Sequence, residues 1–105
     1  MATHARTRQF DRDWRRLRLA DRDRYRLAFR KFDDDLIAGR FRPGLRVKGV
    51  QGAPGVFEMT WAPYGRATFE YGQSQRAGPH LIGRRIGTHA VLATPCEPGP
   101  RVKQR

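Results

Sequence analysis

The sequence predicts an α+β fold: an N-terminal two-helix hairpin packed on a four-stranded antiparallel β-sheet. Three observations predict it. Between Leu45 and His89, apolar residues alternate with polar ones in four short runs, the period of half-buried strands. The connections between those runs are Gly- and Pro-rich and too short for the crossover of a dozen or more residues that a parallel return needs. Ahead of them, apolar residues recur at steps of three and four, the period of a helix face.

From the N-terminus, residues 1–7 carry no apolar periodicity and are expected to form a frayed arm, with His4 solvated. Phe10, Trp14 and Leu17 then mark one stripe of a helix over Arg8–Leu19. Asp21 is placed to cap a second helix, because a carboxylate accepts the orphan N–H groups of a first turn. Tyr25, Ala28, Phe29, Phe32 and Leu36 continue that helix, and Gly39 ends it. Asp33-Asp34-Asp35 reads as an exposed acidic patch, since no second acidic cluster accompanies it to suggest a metal.

Gly39–Gly44 crosses to the strands, expected at Leu45–Val50, Val56–Trp61, Arg66–Tyr71 and Leu81–Thr88. Parity assigns Leu45, Val47, Phe57, Met59, Trp61, Ala67, Phe69, Tyr71, Ile82 and Ile86 to the core. The other face receives Arg46, Lys48, Glu58, Thr60, Arg66, Thr68, Glu70, Arg85 and His89. Ala90-Val91-Leu92 can dock as a last apolar anchor. Residues 1–94 therefore read as one domain, and 95–105, with three Pro and no core pattern, as a disordered basic tail.

The formal charge is +12, from 22 Lys and Arg against 10 Asp and Glu, which favours a polyanionic partner and above all nucleic acid. The charge is uneven. All seven Asp lie at or before Asp35, whereas from Arg40 onward 11 basic residues face three Glu. The sheet half is thus the electrostatic footprint. No apolar run reaches the roughly 20 residues of a membrane span, and no signal-peptide core opens the chain. With Cys96 alone, a disulfide framework and a Cys-based metal site are both excluded, and a reduced cytoplasmic setting is expected.

This layout resembles the RelE/ParE superfamily of toxins from bacterial type II toxin–antitoxin systems. Phe10…Trp14…Leu17 with the Tyr25–Gly39 helix is similar to the family's helical hairpin, and Leu45-Arg46-Val47-Lys48-Gly49 to its first core strand. Gly65-Arg66-Ala67-Thr68-Phe69-Glu70-Tyr71 resembles the strand in which an Arg opens a hydrophobic, Tyr-ending segment. Arg84-Arg85-Ile86-Gly87-Thr88-His89 resembles the closing strand, where a basic residue follows a Gly. The match runs from Phe10 to Leu92, with one Lys on the first strands where many ribonuclease members have several. Leu92 lies near the place where those members have a Tyr.

The resemblance implies a small protein held inactive by a cognate antitoxin. RelE-like members are metal-independent endoribonucleases that cleave messenger RNA, commonly in the ribosome, with no cofactor. ParE-like members inhibit DNA gyrase instead, and a non-catalytic basic nucleic-acid-binding module is the alternative of another class. Fold alone does not choose among them.

Metal-free RNA cleavage needs a base for the 2′-OH, cations around the phosphate and an acid for the departing 5′-oxygen. On the polar face Arg66 and Arg85 are the candidate phosphate cations, Glu58 or Glu70 the candidate base, and His89 the candidate acid. Arg46, Lys48 and Arg84 are expected to bind RNA, with Tyr64 in a turn as the stacking aromatic. The plainer alternative is that these Arg protect a strand edge and the Glu form cross-strand ion pairs. A pure binder needs only the cations. A catalyst needs a carboxylate and His89 beside Arg66.

Overall fold

A computed structural model describes residues 3–73 and 80–95, and residues 103–104 by their backbone. Its elements are β1 (Thr3–Arg6), α1 (Arg8–Arg16), α2 (Leu19–Ala38), β2 (Lys48–Gly49), β3 (Phe57–Ala62), β4 (Gly65–Tyr71), β5 (His80–Thr88) and β6 (Lys103–Gln104). Short 3-10 turns occupy Pro43–Leu45 and His89–Ala93. The two helices and the α+β class are as expected. The sheet is larger and mixed, with strand order β2-β3-β4-β5-β1-β6.

The N-terminal arm accounts for the mixed character. Thr3–Arg6 pairs in parallel with His80–Gly83, and Lys103–Gln104 adds antiparallel on its far side. Nothing in the first seven residues signals a strand, because only Ala5 of the four is buried. The open edge of β5 recruits them. His4 is not simply solvated: its ring meets Phe29 edge-on, 4.9 Å between centroids. His80, one residue outside the expected strand, begins β5 and is buried, with its Nδ1 2.6 Å from Thr3 Oγ1. Of the expected disordered tail, 96–102 and 105 lie outside the described residues.

α1 starts where Thr7, which is fully buried, accepts from the Phe10 N–H and donates to the Arg84 carbonyl. This cap ties the helix start to β5. α1 stops at Arg16, short of Leu19, because Leu17 is extended and turns its N–H onto the Trp14 carbonyl. α2 then begins at Leu19, with Arg18 instead of Asp21 at the N-cap position and no side-chain cap, and ends at Gly39 in the left-handed conformation (φ 81°). α1 lies against β5, where the Phe10 ring covers Gly83, and α2 lies against β3. Phe32, 1 % exposed, stacks on Phe29 and Phe41 and meets Phe69 edge-on. That aromatic column is the centre of the core.

Parity holds on β3 and β4 for Met59, Trp61, Ala67 and Phe69, all buried. It fails twice. On β5 the register slips between Thr68 and Phe69, so that Thr68 faces Arg85 and Phe69 faces Gly83. One extra residue in β5 reverses the faces on either side of it, as a β-bulge does. Leu81 therefore joins Ile86 in the core, and Ile82 pairs with Glu70 on the outer face. Tyr71, assigned to the core, lies at the strand end 43 % exposed, its ring against Phe57 and Phe69.

The expected first strand shortens to Lys48–Gly49. Leu45 belongs to the 3-10 turn, and Arg46 takes a left-handed φ of 49°, with its N–H donated to the Pro43 carbonyl. The aspartate run also differs from expectation, because Asp35 is buried. It accepts from the Arg42 backbone N–H (2.8 Å), Nε (2.8 Å) and Nη2 (2.7 Å), and so fastens the connection leaving α2. The hydrogen bonds from Arg42 hold its carboxyl down to about 2. Since that lies below the unfolded value of about 4, its contribution to stability is complete above the unfolded value and is lost as pH falls through the folded one. Urea titrations of Asp35→Asn should thus show a deficit that is constant near neutrality and closes toward pH 2. A deficit unchanged across the acid range would contradict this.

Candidate nucleic-acid-cleaving face

The helices cover one side of the sheet and leave the other to carry Lys48, Glu58, Thr60, Arg66, Thr68 and Arg85. Cross-strand register assembles them. Lys48 lies opposite Glu58, Glu58 opposite Thr68, and Thr60 opposite Arg66. Arg66 in turn faces Gly87, and Gly65 faces Thr88. His89 follows Thr88 directly and opens the last 3-10 turn as an exposed side chain. Val91 anchors that turn by packing onto Gly87, where a Cβ would sit 2.9 Å from its methyl. The sheet register thus brings Glu58, Arg66 and the start of the His89 turn onto adjacent strands.

Arg66 is the most constrained of these groups. Its Nη1 donates to the carbonyls of Gly65 (2.9 Å), Ala62 (3.3 Å) and Pro63 (3.3 Å), which braces the tight β3–β4 turn. Its Nε lies 3.9 Å from Glu58 Oε1, a loose ion pair. No hydrogen bond engages Nη2 among the described residues. A guanidinium clamped by one nitrogen keeps its orientation while another remains for an anion, which is what preorganised charge stabilisation requires. Glu58 beside it is buried, as is the hydroxyl of Thr60, which has no partner.

The rest of the face is differently engaged. Arg85 holds Asp13 of α1 with Nε (2.7 Å) and Nη2 (3.1 Å), and Thr94 with Nη1. Asp13 Oδ2 also accepts the Ile86 N–H at 3.1 Å. Arg84 is 4 % exposed and lies 3.7 Å from Glu70. Thr68 donates to the Pro95 carbonyl at 2.6 Å, so the chain leaving the last turn passes over this end of the face. Lys48 and Arg46 are exposed near the opposite edge.

Tyr64 is 42 % exposed in the β3–β4 turn, but its hydroxyl is tied to α2. It donates to Asp21 and accepts from Arg24 Nη1 at 3.0 Å. The Tyr64 hydrogen bond, followed by the neighbouring arginines, lowers the Asp21 carboxyl, and the same bond raises the Tyr64 phenol. The turn that positions Arg66 is therefore latched to the start of α2.

Asp13 and Thr60 were not singled out from the sequence as functional or structural anchors. Asp13 lies three residues after Phe10, which turns it toward the sheet, and that spacing is a usable signal. A separate cavity of about 340 Å³ lies on the helical side of the sheet, lined by Phe10, Trp14, Tyr25, Phe29 and Met59. Its aromatic lining belongs to the core, not to the polar face. No helix among the described residues is long and apolar enough to cross a membrane.

No protein-family model matches this chain, and no curated protein is similar to it in sequence. Solved structures do match in fold. A chain of the Escherichia coli DinJ–YafQ toxin–antitoxin complex superposes with a TM-score of 0.59 at 17 % identity, over 85 % of this chain and 93 % of that one. YafQ from E. coli gives 0.58 at 15 % identity, over 88 % and 98 %. A copper-bound mutant toxin from Helicobacter pylori gives 0.58 at 16 % identity, over 88 % and 99 %. The chain thus has the fold of these bacterial toxins along nearly their whole length.

Proposed function

We propose that this chain is the RelE-like toxin of a type II toxin–antitoxin pair and that it cleaves messenger RNA on the outer face of its sheet. The observation that carries the reading is Arg66, fixed by three carbonyls with Glu58 beside it and His89 opening the turn beyond the adjacent strand. The toxin fold supports the same reading.

The chemistry assigned to these groups is transesterification. The ribose 2′-oxygen attacks phosphorus and its proton passes to Glu58. Arg66 stabilises the charge gathering on the phosphoryl oxygens. The bond from phosphorus to the 5′-oxygen breaks, and His89 supplies the proton that the leaving oxygen takes. The products are a 2′,3′-cyclic phosphate and a 5′-hydroxyl. Lys48 and Arg46 draw the strand toward the open edge of the face. Arg85 and Arg84 then act from behind, as groups that shape β5. The cognate antitoxin silences the toxin by laying an acidic segment over the same basic face, and the resemblance makes the ribosome the setting for cleavage.

Arg66→Ala tests the assignment. Losing a preorganised charge donor of this kind should lower the cleavage rate by about 10²–10³-fold while the circular dichroism spectrum stays that of the wild type. A folded variant cleaving at the wild-type rate would remove Arg66 from the reaction.

A further inference from the structure

Next to the cleaving face, the sheet edge opens into a groove of about 490 Å³ between α2 and the end of β3. Its origin is the left-handed turn at Arg46. The antiparallel ladder of β2 and β3 pairs Lys48 with Glu58 and, continued, would pair Val47 with Met59 and then Arg46 with Thr60. Arg46 instead gives its N–H to Pro43, so the ladder ends early. The Val50 N–H to Val56 carbonyl bond fixes which β3 residues point their backbone outward, and Thr60 is one of them. Its backbone N–H therefore faces the groove and not another strand.

The lining is strongly one-signed. Arg24, Lys31, Arg42, Arg46 and Arg66 line the groove, and no carboxylate among the described residues does. Arg24 and Arg42 are committed to Asp21 and Asp35, and Arg66 to its turn. Lys31 and Arg46 are exposed on its rim and carry no ion pair among the described residues. At its wall Thr60 Oγ1 and Trp61 Nε1 are enclosed without a hydrogen-bond partner, and Trp61 is 7 % exposed. A non-glycine residue held at positive φ beside such a groove is the kind of strain that functional sites keep.

We propose that this groove seats a phosphate of the RNA strand flanking the cleavage site, held by Lys31 and Arg46. The proposal rests on the ribonuclease reading, because Arg66 lines both the groove and the cleaving face and makes them one continuous basic track. A phosphodiester suits the groove better than an acidic side chain. The track runs from the sheet face to the groove without a carboxylate in the groove's described lining, and its two uncommitted cations act as point contacts with backbone charge.

The test is equilibrium binding of a fluorescent oligonucleotide with 2′-deoxy sugars throughout, which binds without being cleaved. Affinity is measured across a salt series. Each phosphate contact on a single strand adds about 0.7 to the slope of log K against log salt. Lys31→Gln and Arg46→Gln should each flatten the slope by about that amount, whereas Arg30→Gln, on the same helix outside the groove, should leave it unchanged. Wild-type slopes in both groove variants would overturn the groove and leave the ribonuclease reading standing. No binding of the oligonucleotide by the wild type would overturn both. Lys31- and Arg46-dependent binding of a polyglutamate peptide, with oligonucleotide binding indifferent to them, would assign the groove to an acidic protein segment instead.

Discussion

Replacing His89 with glutamine is expected to slow RNA cleavage by about 10²–10⁴-fold, the range for loss of a general acid. Glutamine keeps a hydrogen-bonding side chain of similar reach but has no proton to transfer to the leaving oxygen. His89 is exposed at the start of a 3-10 turn held by Val91, so the substitution disturbs no packed core. Single-turnover cleavage of bound RNA separates a chemical role from a binding one. The rate of the chemical step should fall in His89→Gln while the affinity for RNA stays at the wild-type level. A variant with the wild-type rate would mean that the acid is another group.

The second large effect is on stability. Asp13→Ala should cost about 3–5 kcal/mol, the penalty for breaking a buried ion pair by removing one partner. Asp13 is 4 % exposed and serves both Arg85 and the Ile86 N–H, so its loss leaves a largely buried guanidinium and a buried backbone donor unsatisfied. The pairing also joins α1 to β5, which makes the cost global. Pairing Asp13→Ala with Arg85→Met should recover much of the loss, since the unpaired charge is then gone. Urea unfolding checks this. A single variant within about 0.5 kcal/mol of the wild type, the ordinary scatter of surface substitutions, would refute the anchoring role.

What was readable in the sequence was whatever short-range periodicity encodes. The aromatic stripe of α2, the inward set Met59, Trp61, Ala67 and Phe69 and the glycine ending α2 all follow from local spacing. Features set by distant partners were hidden. β1 exists only because β5 offers an edge 77 residues away in sequence. The bulge in β5 exchanged Leu81 for Ile82, and no residue type announces it. Asp35 read as part of an exposed patch and Asp13 drew no reading of its own, because their arginines, Arg42 and Arg85, are brought to them by the fold.

The candidate site divides in the same way. Glu58 and Arg66 were placed together by strand parity, and the sheet register does bring them side by side. Arg85, on the same predicted face, is instead drawn to α1 by Asp13. Tyr64 was expected to offer a free ring, yet its hydroxyl latches the turn to Asp21. Parity predicts which side a residue emerges from. It does not predict which buried carboxylate waits there.

The decisive measurement is the chemistry of the cut ends. Purified protein, freed of its antitoxin, is incubated with messenger RNA, with and without ribosomes, in excess EDTA. The products are then probed for their termini. Cleavage that persists in EDTA and leaves 2′,3′-cyclic phosphate with 5′-hydroxyl ends is the predicted result. RNA left intact under both conditions while expression of the chain still arrests growth, with DNA gyrase inhibited in its place, would contradict it.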